Sequence, residues 1–585
     1  PALTGLRGMT DAAFEVMHAV AREGRSYPLE TAAISEDYDL VVVGAGLAGL
    51  TAAFAYKERH PKARILILDN NDDFGGHARR CEFDAGGRML LGYGGSESMV
   101  SPRTQYAGEL GALLARLGID PERFYDETVF HRTLYPGLGL SRGVYFDAET
   151  FGTDKLVTGD PMILGFDEFA PGNPNARDIT SFLADCPLDA ETRVGLDQLF
   201  AGTRDYLADQ DTETKLKHTS RISYRDFLLH VCGLPEQGAA FFEGRLHDNY
   251  GLGIDAIAAR DAMADGLPGA AAIGIESALD SGHDGEPYVH HFPDGNATIA
   301  RALVRALVPS VAPSGTIEAL VDARFDYARL DDAASDVRIR LSSTAIHVAN
   351  DKDGGVEIAY VRNGALTKVR AKKSVVATFA AVTGHICPEL KDAERQHCAA
   401  NVRTPLLYIK VGLTNWQSFA RLGVHKIAAP KAFLSTVKLD YPVSFGDYRF
   451  ARSPAEPIGL QLVHVPLAQN EGHDARTQFR MGRQWLLDTP FERIEQMVRT
   501  DLQRMLGGGG FDADRDITAI TVNRWSHGYS YAPSSLFDDV ESMTADAAMM
   551  REPLGNIVFA NSDTAWDAYA HAAMSEALRA VKQIT

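Results

Sequence analysis

The 585-residue chain has only five cysteines (Cys81, Cys186, Cys232, Cys387 and Cys398), and no two of them form a C-x-x-C pair. That scatter excludes a disulfide framework, a cysteine-rich zinc site and covalently attached c-type haem. No apolar run approaches the ~20 residues that a membrane-spanning helix needs. Positive charge is also scarce: 58 Lys and Arg face 78 Asp and Glu, a formal net charge of −20. This balance argues against a nucleic-acid partner and favours the approach of cationic ligands. What remains is a chain with 45% hydrophobic and 23% charged residues, the profile of a globular enzyme rather than a disordered or fibrous protein. Its length exceeds one ordinary core, so two or more intertwined domains are expected. The chain opens on Pro1 instead of methionine, which fits removal of an N-terminal segment such as an export signal.

Against these absences stands "VVVGAGLAGL", with Gly44, Gly46 and Gly49 in G-x-G-x-x-G spacing after an apolar run and before "TAAFAYKERH". In such a loop the first glycine makes the turn and the second lets a pyrophosphate approach the backbone. The third lets helix and strand pack closely, and the helix N-terminus attracts phosphate charge. The pattern predicts a strand over 39–43, a helix over 47–59 and a strand over 63–69. Asp69 then falls 20 residues beyond Gly49, where a carboxylate takes hydrogen bonds from the ribose hydroxyls of a dinucleotide.

Further along, a turn at Asp294-Gly295 precedes an amphipathic helix, and 337–378 reads as a β-meander with turns at "DKDGG" and Asn363-Gly364. The end of the chain reads as strand, polar turn and long helix. "LGGGGF" at 506–511 reads as a loop rather than a phosphate cradle, since no helix-start pattern follows it. In residues 1–36 one short helix ending at Gly24 is expected and no strand. The boundaries predicted are an N-terminal extension (1–36), a nucleotide-binding half in three parts (37–105, 288–400, 535–585) and a second lobe in two (106–287, 401–534). A half interrupted twice by another lobe implies a cleft between them for a small ligand.

"NNDDFGGHARR" follows the acid, and its glycine pair (Gly75, Gly76) with Arg79 and Arg80 resembles the second signature of the flavin amine oxidase superfamily. "GGRMLLGYGGSESM" resembles that superfamily's strand and loop beside the isoalloxazine ring. "FANSDTAWDAYAHAAMSEAL" resembles its last flavin motif. The resemblance implies an α/β fold in which an FAD-binding Rossmann-like domain, of glutathione-reductase type, is interleaved with a mixed α+β substrate domain. It implies that Asp563 binds the ribityl or phosphate side of FAD and that Ala345 lies near adenine. Backbone at Ala570 and His571 would aim a helix N-terminus at the flavin O2 edge. His77, where the superfamily usually has arginine, would contact FAD or carry a covalent link to it, a backbone-positioning role being the plainer reading.

Pieces spread along the chain, including "ALTGLRG", "FEVMHA" and "NRWSHGYSY", resemble bacterial spermidine dehydrogenases and their flavoprotein relatives. These would pass a hydride from a polyamine-like substrate to FAD and release an imine that hydrolyses to an aldehyde. Trp566 and Tyr569 are the first aromatic candidates for the pocket wall. Trp525 and Tyr529 (with Tyr531) form a second cluster, with His527 as a candidate proton acceptor and Glu97 as a candidate ammonium anchor. Many amine oxidases carry a lysine near the flavin N5. Here its place falls near Leu406, with Lys410 too far along the strand. That departure favours a dehydrogenase with a haem, quinone or cytochrome acceptor instead of oxygen. The same resemblance brings haem b, with His18 as axial ligand, and a periplasmic location. Alternatives kept open are a same-fold oxidase or desaturase of a non-polyamine substrate, and a binding protein without redox work.

Overall fold

The computed structural model describes residues 4–164, 172–279 and 286–585. Its first sheet is parallel at the centre, in the order Val337–Arg340, Ile65–Leu68, Ile34–Val43 and Ala365–Val376, with Ile557–Phe559 beside the end of the last. Alternation explains the unbroken apolar runs. Leu40, Val42, Ile65 and Ile67 face a layer of helices, while Val41, Val43, Leu66 and Leu68 face the opposite layer. Strands covered on both faces carry no polar side. The helix Leu47–Arg59 packs against Ala570–Lys582 and Ala297–Leu307, so the first and last motifs of the chain meet at one layer.

The predicted βαβ unit is present, its first strand starting earlier, at Ile34. The meander has three strands, Ser343–Asn350, Val356–Arg362 and Ala365–Val376, all antiparallel. Val337–Arg340 does not join it but pairs in parallel with Ile65–Leu68 at the far edge of the sheet. Alternation cannot distinguish these outcomes, because the pairing partner is remote in sequence. The long strand Ala365–Val376 serves both layers, pairing with the meander and, from Lys368 on, with Ile34–Val43.

An eight-stranded mixed sheet forms the second body, in the order Gly5–Gly8, Ile517–Trp525, Leu406–Leu413, Ile458–His464, Thr436–Leu439, Val424–Ala428, Ser141–Phe146 and Lys155–Thr158. Its first strand lies in the stretch expected to hold none: Gly5–Gly8 pairs in parallel with Thr521–Arg524. The helix expected to follow runs from Asp11 to Ala21. A helical turn at Gly507–Gly509 closes the helix Phe491–Leu506, and a short helix, Ala513–Asp516, does follow the glycine run.

Asp501 on that long helix accepts a hydrogen bond from the Leu434 backbone N–H at 2.9 Å. Burial pushes its carboxyl up to about 6. Between the ordinary carboxylate range and that value, the folded chain holds a proton that the unfolded chain has lost. Stability therefore falls as pH rises through roughly 4 to 6. Asp501→Asn keeps an acceptor for Leu434 and carries no charge. It should be more stable than the parent by about 3 kcal/mol above pH 7, with no difference below pH 4, as read by urea unfolding at both pH values.

Candidate active site

The turn at Gly44 is pinned from two sides: its N–H donates to the Leu68 carbonyl at 2.7 Å, and that of Ala45 to the Asp69 carboxylate at 2.7 Å. Gly49 has a plain steric role. A Cβ there would lie 1.8 Å from the Gly44 carbonyl oxygen, so only glycine lets helix and turn close. Gly46 is different, since its Cβ would meet nothing nearer than the Gly76 Cα at 3.8 Å. The two glycine loops face one another there, the Gly75 N–H donating to the Ala45 carbonyl at 2.8 Å. Between them lies bare backbone at the N-terminus of Leu47–Arg59, the geometry that suits a pyrophosphate.

The remaining groups around the loops have the chemistry of such a ligand. Arg79 is 3% exposed, and its three guanidinium nitrogens have no hydrogen-bond partner among the described residues; Asp72 lies 3.5 Å away. A buried cation left this way favours an anion beside it. The Asp69 carboxylate accepts a hydrogen bond from the Ala45 N–H at Oδ2 and from the Asn71 N–H and Nδ2 at Oδ1, and Oδ2 keeps a lone pair for a ribose hydroxyl. Burial is the main cause of its raised pKa.

From this cradle a cleft of about 600 Å³ runs on between the two sheets. Gly44, Gly46, Asp69, Gly75, Gly76, His77, Ala345 and Ala570 line it, as do Glu97, Trp525, His527, Tyr529, Trp566 and Tyr569. Gly49, Arg79, Arg80, Asp563 and His571 are not in its lining. Arg80 is committed elsewhere, to Glu82, Asp294 and the Val321 carbonyl. Asp563 holds the buried Arg403 and the Ala380 N–H, so both of its oxygens already have partners within the wall. The His571 ring stacks on Tyr569 with centroids 5.2 Å apart, and Asp567 lies 3.7 Å away.

Aromatic side chains are fixed in the wall by hydrogen bonds. Trp525 Nε1 donates to the Gly94 carbonyl at 2.7 Å, and Tyr288 donates its hydroxyl proton to the Tyr569 hydroxyl at 2.8 Å. Trp566 adopts a left-handed backbone, φ 51°, an unfavourable state for a bulky residue that the surrounding structure must impose. His77 reaches the His527 carbonyl at 2.9 Å, and the Phe379 ring stacks on His527 at 5.3 Å. Burial, with Arg483 and Arg403 nearby, drives the His527 pKa well below its ordinary value. The ring is thus held toward its neutral form. His77 is likewise pushed down to about 3, mainly by burial.

Glu97 meets Lys438 at 3.1 Å, which with His291 holds its pKa below the ordinary value against burial. Its charge is therefore already matched. Another carboxylate, unforeseen in the sequence, has no such direct ion pair among the described residues. Asp248 accepts the Tyr408 hydroxyl proton at 2.7 Å, while its backbone carbonyl accepts that of Tyr529 at 2.6 Å. Among the described residues no lysine or arginine pairs with Asp248. Burial raises its pKa against the opposing charges of Lys438 and Lys426, and Glu97 adds to the rise. Asp261 and Asp265 also line the cleft, beside Tyr250, whose hydroxyl donates to Asp265. Tyr408 was legible from period 2: Leu406, Tyr408 and Lys410 share one face of Leu406–Leu413, whereas Leu407, Ile409 and Val411 enter the core. Asp248 sits on a four-residue helix, His247–Tyr250, too short to leave a periodic trace.

Lys410 is fully buried, ion-paired with Asp440, with its ammonium 4.0 Å from the centre of the Tyr93 ring. Among the described residues no lysine lines the cleft. His18 does line it, its ring 4.5 Å from that of Phe14; burial and Arg22 lower its pKa.

Solved structures share this architecture over almost the whole chain. Putrescine oxidase, in its wild-type form bound to putrescine, is 15% identical with a TM-score of 0.53, covering 94% of this chain and 99% of its own. Cyclohexylamine oxidase from Brevibacterium oxydans IH-35A is 15% identical with a TM-score of 0.50, covering 94% and 98%. The fold is the amine-oxidase fold. Residues 464–585 match the family described as flavin containing amine oxidoreductase, and residues 42–110 match the NAD(P)-binding Rossmann-like domain. No curated protein matches the chain.

Proposed function

We propose that the protein is an FAD-dependent dehydrogenase of amines that carry a second positive charge, polyamine-like in character. The observation that carries this reading is the continuity of one cleft, from a dinucleotide cradle at Gly46 and Gly76 to a tyrosine-walled end holding the Asp248 carboxylate, which has no direct ion pair among the described residues. The match of residues 464–585 to flavin containing amine oxidoreductases supports flavin as the cofactor. Gly44, Gly46, Gly75, Gly76 and Asp69 would hold the pyrophosphate and ribose, with the buried charge of Arg79 behind them. The bound flavin would supply the two-electron acceptor for a hydride leaving the carbon next to the amine nitrogen.

The chain's own residues supply orientation and exclusion of water. Tyr288, Tyr569 and Trp525 present flat walls whose polar tips are already bonded, leaving apolar faces toward the substrate. Asp248 would hold the distant ammonium, with the Tyr408 hydroxyl fixing the carboxylate. The pKa values of Tyr408, Tyr529 and Tyr569 are all raised, chiefly by burial. These hydroxyls stay protonated: those of Tyr408 and Tyr529 donate to Asp248, and that of Tyr569 accepts from Tyr288. The imine product would leave and hydrolyse to an aldehyde in water. His18 lies in the wall of this same cleft, so the proposal assigns it no haem.

The test is anaerobic: a diamine or polyamine should bleach the yellow protein in a single turnover, while a neutral alcohol of equal length should not. A preparation bleached equally by alcohols overturns the amine assignment. With no lysine among the described residues of the cleft wall, the bleached protein should regain its colour slowly in air and quickly with an added quinone. Fast recovery in air, with one peroxide formed per amine consumed, contradicts the dehydrogenase reading.

A further inference from the structure

The N-terminal segment lies across both bodies of the fold. Its strand Gly5–Gly8 extends the eight-stranded sheet, and its helix Asp11–Ala21 packs on the meander through Val16 and Val20, against Ile346 and Ala359. On one side Met9 and Arg524 exchange backbone and side-chain hydrogen bonds, the Met9 N–H donating at 2.9 Å and Arg524 Nε donating back at 3.0 Å. Arg524 also pairs with Asp11 at 2.5 Å. On the other side the segment is fastened to the loop that follows Asp69. Arg7 pairs with Asp72 at 2.9 Å, and Asn70 Nδ2 donates to the Ala13 carbonyl at 2.6 Å. Between these fastenings Met9, Phe14, Met17 and His18 turn into the cleft, alongside Asp69, Asn70 and Ala345.

Resting on the reading of the cleft as an FAD site, we propose that residues 5–21 form a clasp over the adenosine half of the bound dinucleotide. Phe14, Met17 and His18 supply one wall of that site, so the cofactor leaves only after the clasp detaches. Asp69, Asn70 and Ala345 are the groups that face ribose and adenine in the proposed site, and the clasp residues share their stretch of the lining. The clasp carries a neutral imidazole and apolar side chains toward the ligand, a surface suited to the face of an aromatic base. Its fastenings bridge two bodies that are otherwise remote in sequence, which ties retention of the cofactor to their closure.

The test measures release of flavin from the loaded protein by recovery of its fluorescence on dilution. Arg7→Ala with Asp11→Ala removes two fastenings without touching a residue in the cleft lining. The double variant should release flavin at least tenfold faster than the parent. A second variant, Arg7→Cys with Asp72→Cys, is joined by a bis-maleimide; the five native cysteines are buried and out of its reach. Joined protein should release flavin at least tenfold more slowly than the same variant left unjoined. Release at the parent rate in the double variant, with joining also without effect, overturns the clasp. Parent protein that takes up no flavin overturns the function proposed above instead, and is seen before any variant is made.

Discussion

Gly46→Val should yield a protein that folds and purifies without colour. A Cβ at this position would stand 3.8 Å from the Gly76 Cα, its nearest neighbour, and Gly46 already has an ordinary extended backbone as the cap of Leu47–Arg59. The folded chain therefore tolerates a side chain there. The space between the two glycine loops does not remain, because the isopropyl group takes the position that a pyrophosphate would occupy. Flavin affinity is expected to fall at least a hundredfold, about 3 kcal/mol, with a far-ultraviolet dichroism spectrum like that of the parent. Gly49→Ala serves as the contrasting variant. Its Cβ would fall 1.8 Å from the Gly44 oxygen, so the turn or the helix must move and thermal stability should fall. A yellow Gly46→Val protein with parental affinity would remove the dinucleotide from this cradle.

That contrast also marks what could be read from the sequence. The strand, glycine loop, helix and acid of the βαβ unit are local, and each follows from a spacing within about thirty residues. The resemblance of "DDFGGHARR" and "FANSDTAW" to flavin motifs brought the right segments to one cleft, but not every residue within them. Asp563 and Arg80 are spent on Arg403 and Asp294, partners some hundred and more residues away that no local spacing encodes. Glu97 was legible as a cleft carboxylate, whereas its pairing with Lys438, 341 positions distant, was not. The strand Gly5–Gly8 hid for a different reason: a four-residue edge strand with two glycines has almost no alternation to detect.

The second large effect is expected at Asp248, and it follows from charge rather than shape. Glu97 has Lys438 beside it, so a substrate ammonium placed there would compete with a resident cation. At Asp248 the carboxylate has a phenol for one oxygen and, among the described residues, no direct ion pair, Lys438 and Lys426 acting on it only from a distance. An incoming ammonium would supply the missing charge in a buried setting, where a charge-assisted hydrogen bond contributes about 1.5–3 kcal/mol. Asp248→Asn preserves an oxygen for the Tyr408 hydroxyl and removes only the charge. For a diamine, kcat/KM should drop by roughly 10- to 150-fold, by the same energy, mostly through KM. For a monoamine of the same length, which has no second ammonium, kcat/KM should change less than about threefold. Glu97→Gln should behave differently, removing the carboxylate that faces Lys438 and lowering kcat/KM for both substrates through repulsion of any cation. Equal losses for monoamine and diamine in Asp248→Asn would mean that this carboxylate supports the wall and does not choose the substrate.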